Sequence, residues 1–108
     1  MAAPESVKPI LQELRREVQD IYGRAFRQMI LYGSFARDDA EQGSDVDVLL
    51  VLSDIPDPLA ELERLSEVIW RLALRYGVVL SVVPVDESEF ASRETPLFLN
   101  VRREGVLV

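Results

Sequence analysis

Apolar residues recur at three- and four-residue steps near the start of the chain: Val7, Ile10, Leu11, Leu14, Val18 and Ile21, with charge between them. That period predicts an amphipathic helix from Val7 to about Tyr22. Ser6 is placed to cap it and Gly23 to stop it. From Arg27 the pattern changes. Arg27 to Tyr32, with Met29-Ile30-Leu31 at its centre, predicts a strand that Gly33 breaks. Phe35 to about Ala40 predicts a short helix whose N-terminus points at the Gly33-Ser34 turn, and Glu41-Gln42-Gly43 predicts a second turn. Asp45 to Leu52 is the clearest strand. Its unbroken apolar run, Val48-Leu49-Leu50-Val51-Leu52, is that of a central strand covered on both faces.

Asp57 followed by Pro58 predicts a helix start, a cap and then a proline at the first helical position. The helix it opens places Leu59, Leu62, Leu65, Ile69, Leu72, Ala73 and Tyr76 on one stripe and stops at Gly77. Val78 to Val85 predicts a third strand, with Pro84 marking an edge or its end. Ser88 is placed to cap a short helical turn. Thr95-Pro96 opens a last helix through about Glu104, which Gly105 ends. The closing Val106-Leu107-Val108 reads as a short run packed onto the sheet, or else as an exposed docking strand. Strands alternating with helices predict an α/β (α+β) fold.

The 108 residues predict one domain, 1–108, with no room for a second substrate domain. No apolar run reaches the roughly 20 residues of a membrane span, and no membrane contact is expected. Residues 1–6, Met1-Ala2-Ala3-Pro4-Glu5-Ser6, carry neither a basic nor an apolar signal region, which points to the cytoplasm. The chain has no Cys and no His, so disulfides, thiolate sites and imidazole ligands are excluded. Any chemistry falls to carboxylates, hydroxyls, Arg, the single Lys8 and metal. The net charge of −7 gives no bulk attraction for nucleic acid, and no direct nucleic-acid binding is expected.

The residues best suited to chemistry lie between the first two strands. A Gly-Ser turn, Gly33-Ser34, stands ten residues before Asp45-Val46-Asp47. An Asp-x-Asp pair alone has roughly even odds of arising by chance from this composition. With Gly-Ser at one fixed distance the odds fall to the order of one in five hundred. Residues i and i+2 of a strand face the same way. Asp45 and Asp47 therefore present two carboxylates, about 7 Å apart at Cβ, to one side. Hard oxygen ligands so placed suit Mg²⁺ or Mn²⁺. The alternative is a solvated pair idling at a strand entry. Gly33 lets backbone approach a ligand closely. Ser34 offers an N–H and a hydroxyl beside a helix start, either as an anion site or as a plain cap. Arg37 is placed to clamp a phosphate, or to pair with Asp38, Asp39 or Glu41. Ser44 reads mainly as a turn residue bordering the phosphates.

These residues resemble the minimal (MNT-type) nucleotidyltransferases of the DNA polymerase beta superfamily. The matched signature is Gly33-Ser34, ten residues, then Asp45-x-Asp47, and the variant Gly-Ser-Phe-Ala-Arg is typical of that family. The resemblance spans nearly the whole chain. It implies the nucleotidyltransferase fold, a mixed β-sheet of three to four strands flanked by helices. It implies transfer of a nucleoside monophosphate, with ATP as the donor, to a hydroxyl, with release of pyrophosphate. Asp45 and Asp47 would be the catalytic, metal-holding pair; Gly33, Ser34, Arg37 and Ser44 would bind the nucleotide. Many members resemble antitoxins paired with a HEPN-domain toxin, and some AMPylate a tyrosine of that partner. One position departs from the pattern. The family's third carboxylate lies on the strand beside the Asp-x-Asp strand, and the aligned residue is Ser81; Asp86 and Glu87 follow too far along.

The expectation is therefore a Mg²⁺-dependent nucleotidyltransferase acting as an antitoxin on a HEPN partner. The second reading is a weak or inactive nucleotide site on a protein-binding module that neutralises its partner by forming a complex. Homo-oligomerisation is left open by the sequence.

Overall fold

The structure, a computed structural model, describes residues 4–108. The first half of the stretch read for a targeting signal lies outside the described residues. Helix α1 spans Lys8–Tyr22 and buries Ile10, Leu11, Leu14 and Val18, the predicted stripe. Ser6 does not cap it. The N-cap is Val7, without a side-chain bond, held by a turn in which Val7 N donates to Pro4 O at 3.2 Å. Pro9 in the first turn removes a donor that would otherwise want a cap. Strands β1 (Phe26–Tyr32) and β2 (Val46–Leu52) follow, then α2 (Pro58–Tyr76), β3 (Leu80–Asp86), α3 (Glu87–Ser92), α4 (Pro96–Glu104) and a two-residue β4 (Val106–Leu107).

The sheet order is β3-β2-β1-β4. β1 runs antiparallel to β2 and to β4, while β2 and β3 are parallel, so the sheet is mixed as expected. β2 is central and almost wholly buried. Strand alternation sorts its side chains: Val46, Val48, Leu50 and Leu52 join the core under α1 and α2, whereas Leu49 and Val51 pack with Ile30, Phe98 and Val101 under α4. Asp47 shares the parity of Leu49 and therefore faces the α4 side. Pro84 sits on edge strand β3, where its missing N–H costs no ladder bond on the outer side. The closing apolar run packs onto the sheet, with Val106 buried and Val108 N donating to Met29 O at 3.0 Å.

Capping explains most boundaries. Asp57 accepts from Leu59 N and Ala60 N, the cap predicted for it, and Thr95 accepts from Phe98 N at the helix start expected there. Gly77 ends α2 in the left-handed region at φ +64°. At α3 the expected cap, Ser88, is displaced by Asp86, whose carboxylate accepts from the Ser88 N–H at 3.1 Å and from its hydroxyl. The other oxygen of Asp86 takes the Ile55 N–H at 3.1 Å and ties the β2–α2 loop to β3.

The α2 stripe is only partly buried. Leu65, Val68 and Leu72 are enclosed, but Leu59 is 74% exposed. α1 and α2 are cross-linked by polar pairs: Arg75 with Glu13 at 2.6 Å, Arg71 with Glu17 at 3.2 Å, and the Tyr76 hydroxyl with Glu13 at 2.6 Å.

Asp86 gives a pH-dependent test. The Ser88 hydroxyl, and then the Ile55 N–H, hold its carboxyl below the usual 3.8. A carboxylate that is more acidic when folded stabilises the fold while ionised. Its contribution is present above pH 3.8 and drains away as pH falls through the lowered value. Asp86→Ala should melt below wild type at pH 7, and thermal melts at descending pH should show the gap narrowing under pH 3.8.

Candidate functional site

β1 ends at Tyr32 and β2 begins at Val46, and antiparallel register pairs Tyr32 with Asp47. Gly33, one residue on, lies directly beside the Asp47 side chain. Its φ is +76°, a conformation that side chains rarely adopt, and a Cβ there would strike the Asp47 carboxylate. Glycine is thus favoured twice, by the backbone angle and by the room the Asp47 carboxylate takes.

Beyond Gly33 the chain makes a single turn. Ala36 N and Arg37 N donate to Gly33 O at 3.1 Å, and Asp39 N donates to Ser34 O at 3.0 Å. No helix forms over Phe35–Ala40: residues 34–38 are turn, closed by Asp38 at φ +60°. One turn carries no useful macrodipole. Ser34 therefore offers its own N–H and hydroxyl, not a helix N-terminus, and that hydroxyl has no hydrogen-bond partner among the described residues. At the other end of the connection Ser44 closes the predicted Glu41–Gly43 turn: its N–H donates to Glu41 O at 3.0 Å and its hydroxyl accepts from Glu41 N at 2.9 Å.

The two ends of the 33–45 connection meet at one open cleft of about 450 Å³. Gly33, Ser34, Arg37, Ser44, Asp45 and Asp47 all line it. Every residue singled out in the sequence for this site is present. Tyr32, Leu97, Asn100 and Glu104 complete the wall. A larger cavity, about 710 Å³, lies against Ile55, Val85 and Phe98 and contains none of the predicted residues.

Asp45 is exposed and Asp47 half-buried. Burial raises the Asp47 carboxyl above its usual range and the Asp45 charge adds to this, while Arg37 opposes it. Tyr32 is likewise raised, by burial first and then by the Asp47 charge. Negative charge is therefore concentrated here at some cost, as at sites that await a cation. Among the described residues no group of three or more His, Cys, Asp or Glu side chains is placed to hold a metal ion unaided. Two carboxylates do fit Mg²⁺ arriving with a polyphosphate, since that ion is commonly held by one or two carboxylates plus substrate phosphates. Ser81 lies opposite Asp47 in the parallel β2–β3 register and on the same face, and brings a hydroxyl rather than a carboxylate there.

Arg37 does pair with an acid of its own turn, Nε to Asp39 at 3.2 Å, as one reading of the sequence allowed. Its main partner went unanticipated. Nη1 donates to both oxygens of Glu104, at 3.1 and 3.2 Å, and the Gly33 N–H donates to the same carboxylate at 3.3 Å. Glu104 is the last residue of α4 and reads in sequence as a helix end. Only the packing of α4 across β1 carries it to the cleft.

Residues 11–103 match the family described as nucleotidyltransferase domain. The chain is 33% identical over 82 residues to the protein adenylyltransferase MntA of Thermococcus cleftensis, covering 74% of this chain and 79% of that protein. It is 31% identical over 74 residues to a candidate protein adenylyltransferase of Methanocaldococcus jannaschii, covering 68% and 74%. Among solved structures, a toxin–antitoxin with AMP-PNP superimposes with a TM-score of 0.61 at 19% identity, over 87% of this chain and 68% of that one. The tri-AMPylated Shewanella oneidensis HEPN toxin in complex with MNT antitoxin gives 0.55 at 18% identity, over 91% and 70%. At such identities the structural likeness is one of fold.

Gly33→Ala should lower stability by about 1–3 kcal/mol, the usual cost of a strained backbone position, as read by urea denaturation. A variant as stable as wild type would mean that neither the φ nor the Asp47 contact constrains this position.

Proposed function

The chain belongs to the nucleotidyltransferase domain family and resembles its minimal, MNT-type members, and on that premise we propose that it moves a nucleoside monophosphate, AMP from ATP, onto a hydroxyl of a protein partner. The convergence of the Gly33-Ser34 turn, Arg37 and the Asp45/Asp47 pair on one cleft carries this reading.

The chain's own groups would act mainly by binding and orienting, as phosphoryl transfer requires. Ser34, through its N–H and free hydroxyl, and Arg37, through its guanidinium, hold the β- and γ-phosphates. Asp45 and Asp47 would hold Mg²⁺ or Mn²⁺, which when bound neutralises charge on the triphosphate. Gly33 keeps the wall thin enough for phosphate to lie beside Asp47. The acceptor oxygen bonds to the α-phosphorus, the bond to the pyrophosphate oxygen breaks, and pyrophosphate leaves. Because Ser81 cannot take the hydroxyl proton as a carboxylate would, that proton goes to water or to a group on the acceptor's side, and the transfer is slow.

The partner we propose is a HEPN-domain toxin, with this chain as its antitoxin in the cytoplasm. The toxin–antitoxin structures sharing its fold support this. Among the described residues no helix is long and apolar enough to cross a membrane. One surface favours a protein partner whether or not transfer occurs. Leu59, Leu62, Trp70 and Leu74 form an outer stripe along α2, with Trp70 67% and Leu74 75% exposed. A groove of about 880 Å³ runs from Trp70 and Leu74 to Ser44 at the cleft. Exposed apolar patches of this kind mark association surfaces. This supports association with a partner, which the second reading, neutralisation by complex formation alone, needs as much as the first.

Labelled ATP, Mg²⁺ and the protein encoded beside this chain separate the two readings. Transfer of label that vanishes in Asp47→Asn supports the enzyme. A tight complex with no transfer, unaffected by that substitution, supports the binding module. Calorimetry should show Mg²⁺-dependent triphosphate binding lost in Asp45→Asn; undiminished affinity would remove Asp45 from the site. Ser81→Asp should raise the transfer rate, and a folded variant with no gain would show that a carboxylate at that position is not what limits it.

A further inference from the structure

Glu104 stands where its charge is poorly tolerated. It occupies the last position of α4, where backbone carbonyls already concentrate negative charge and a carboxylate is unfavourable. Arg102 and Arg103, which suit that end of the helix, precede it directly. Across the cleft Asp47 repels it: the Glu104 charge is among the causes that raise the Asp47 carboxyl. What holds it is the set of groups a phosphate would use. The Gly33 N–H donates to Oε1 at 3.3 Å, and Arg37 Nη1 reaches Oε1 at 3.1 Å and Oε2 at 3.2 Å. An anion is thus already seated on an amide and a guanidinium at the mouth of the Gly-Ser turn.

We propose that the Glu104 carboxylate is a built-in stand-in for phosphate, held by Gly33 and Arg37 until an incoming polyphosphate displaces it, so that Glu104 is a positioning residue that sets nucleotide affinity. This rests on the reading of the cleft as a polyphosphate site. Three features favour displacement over a fixed structural role. The Arg37–Glu104 pair is partly solvated, with side chains 46% and 22% exposed, and such pairs exchange at little cost. Arg37 keeps Asp39 as a second anchor at 3.2 Å, so it can turn from Glu104 without coming loose. Glu104 belongs to no metal-holding cluster with Asp45 and Asp47 among the described residues, which argues against a ligand role. While seated, Glu104 holds Arg37 over the cleft. A ligand meeting a site that is partly self-occupied binds with an affinity reduced by the fraction of time the site is open.

The test is calorimetric titration with inorganic triphosphate, which has no base or sugar, in the absence and presence of Mg²⁺. Glu104→Gln keeps the side-chain shape and removes the competing charge. It should bind triphosphate about three- to tenfold more tightly than wild type, the gain expected if the cradle is free about a tenth to a third of the time. In an Arg37→Ala background the same substitution should give a smaller gain, because only the Gly33 amide is still contested. A structural role predicts the opposite sign, with weaker binding and a lower melting temperature. Equal or weaker binding by folded Glu104→Gln overturns the inference, and weakening confined to the Mg²⁺ titration would assign Glu104 to the metal instead. Should Glu104→Gln fail to fold, the wild-type Gly33 amide resonance decides: it should shift on triphosphate addition as its acceptor changes, and an unmoved resonance alongside measurable binding overturns the displacement. If wild type and both variants bind no triphosphate, the polyphosphate reading itself fails and takes this inference with it.

Discussion

The cleft depends on a contact that only glycine permits. Antiparallel pairing sets Tyr32 against Asp47, which leaves Gly33, just past the end of β1, touching the carboxylate that follows Val46. With no side chain at Gly33, the chain turns sharply, its amide stays accessible, and Asp47 stays upright on the sheet. Any Cβ there would push the carboxylate aside and force the backbone from φ +76°. The sheet register and the chemistry are therefore one specification. A one-residue slip of β1 against β2 would turn the β1 side chains over, taking Leu31 out of the core and Gly33 away from Asp47.

Much of this was legible because it is local. The Gly-Ser turn and the Asp pair are the two ends of one connection between adjacent antiparallel strands, so their meeting needs no distant packing. The α2 and α4 starts were legible because Asp57-Pro58 and Thr95-Pro96 satisfy capping within three residues. The failures share a cause. Ser6 and Ser88 were plausible caps, but a nearby turn held one helix start and a stronger acceptor, the Asp86 carboxylate, took the other. The helix expected at Phe35–Ala40 stops after one turn because Asp38 adopts a left-handed conformation, which the pattern of apolar residues does not register. Glu104 was invisible for a different reason. It lies 71 residues from the amide it accepts from, and nothing around it in sequence distinguishes it from a solvated helix end.

Charge is distributed with similar economy. The arginines of α2 are turned toward α1 or its flank: Arg71 and Arg75 pair with Glu17 and Glu13, and Arg64 stacks on Tyr22. This fastens the two helices over the sheet and leaves the opposite flank of α2 without cations among these pairs. At the cleft the sign is reversed. One arginine serves a group of acids, and it is shared between Asp39 and Glu104. A net charge of −7 thus includes a cleft where several carboxylates meet one guanidinium, a backbone amide and a hydroxyl.

Trp70 has an optical consequence. It is the chain's one tryptophan, and it stands two-thirds open to water on the outer face of α2. Its indole is nearly as solvated in the native state as in an unfolded chain, so emission wavelength is a poor gauge of unfolding. For the same reason it reports with little background on whatever comes to rest against that helix, without any dye attached.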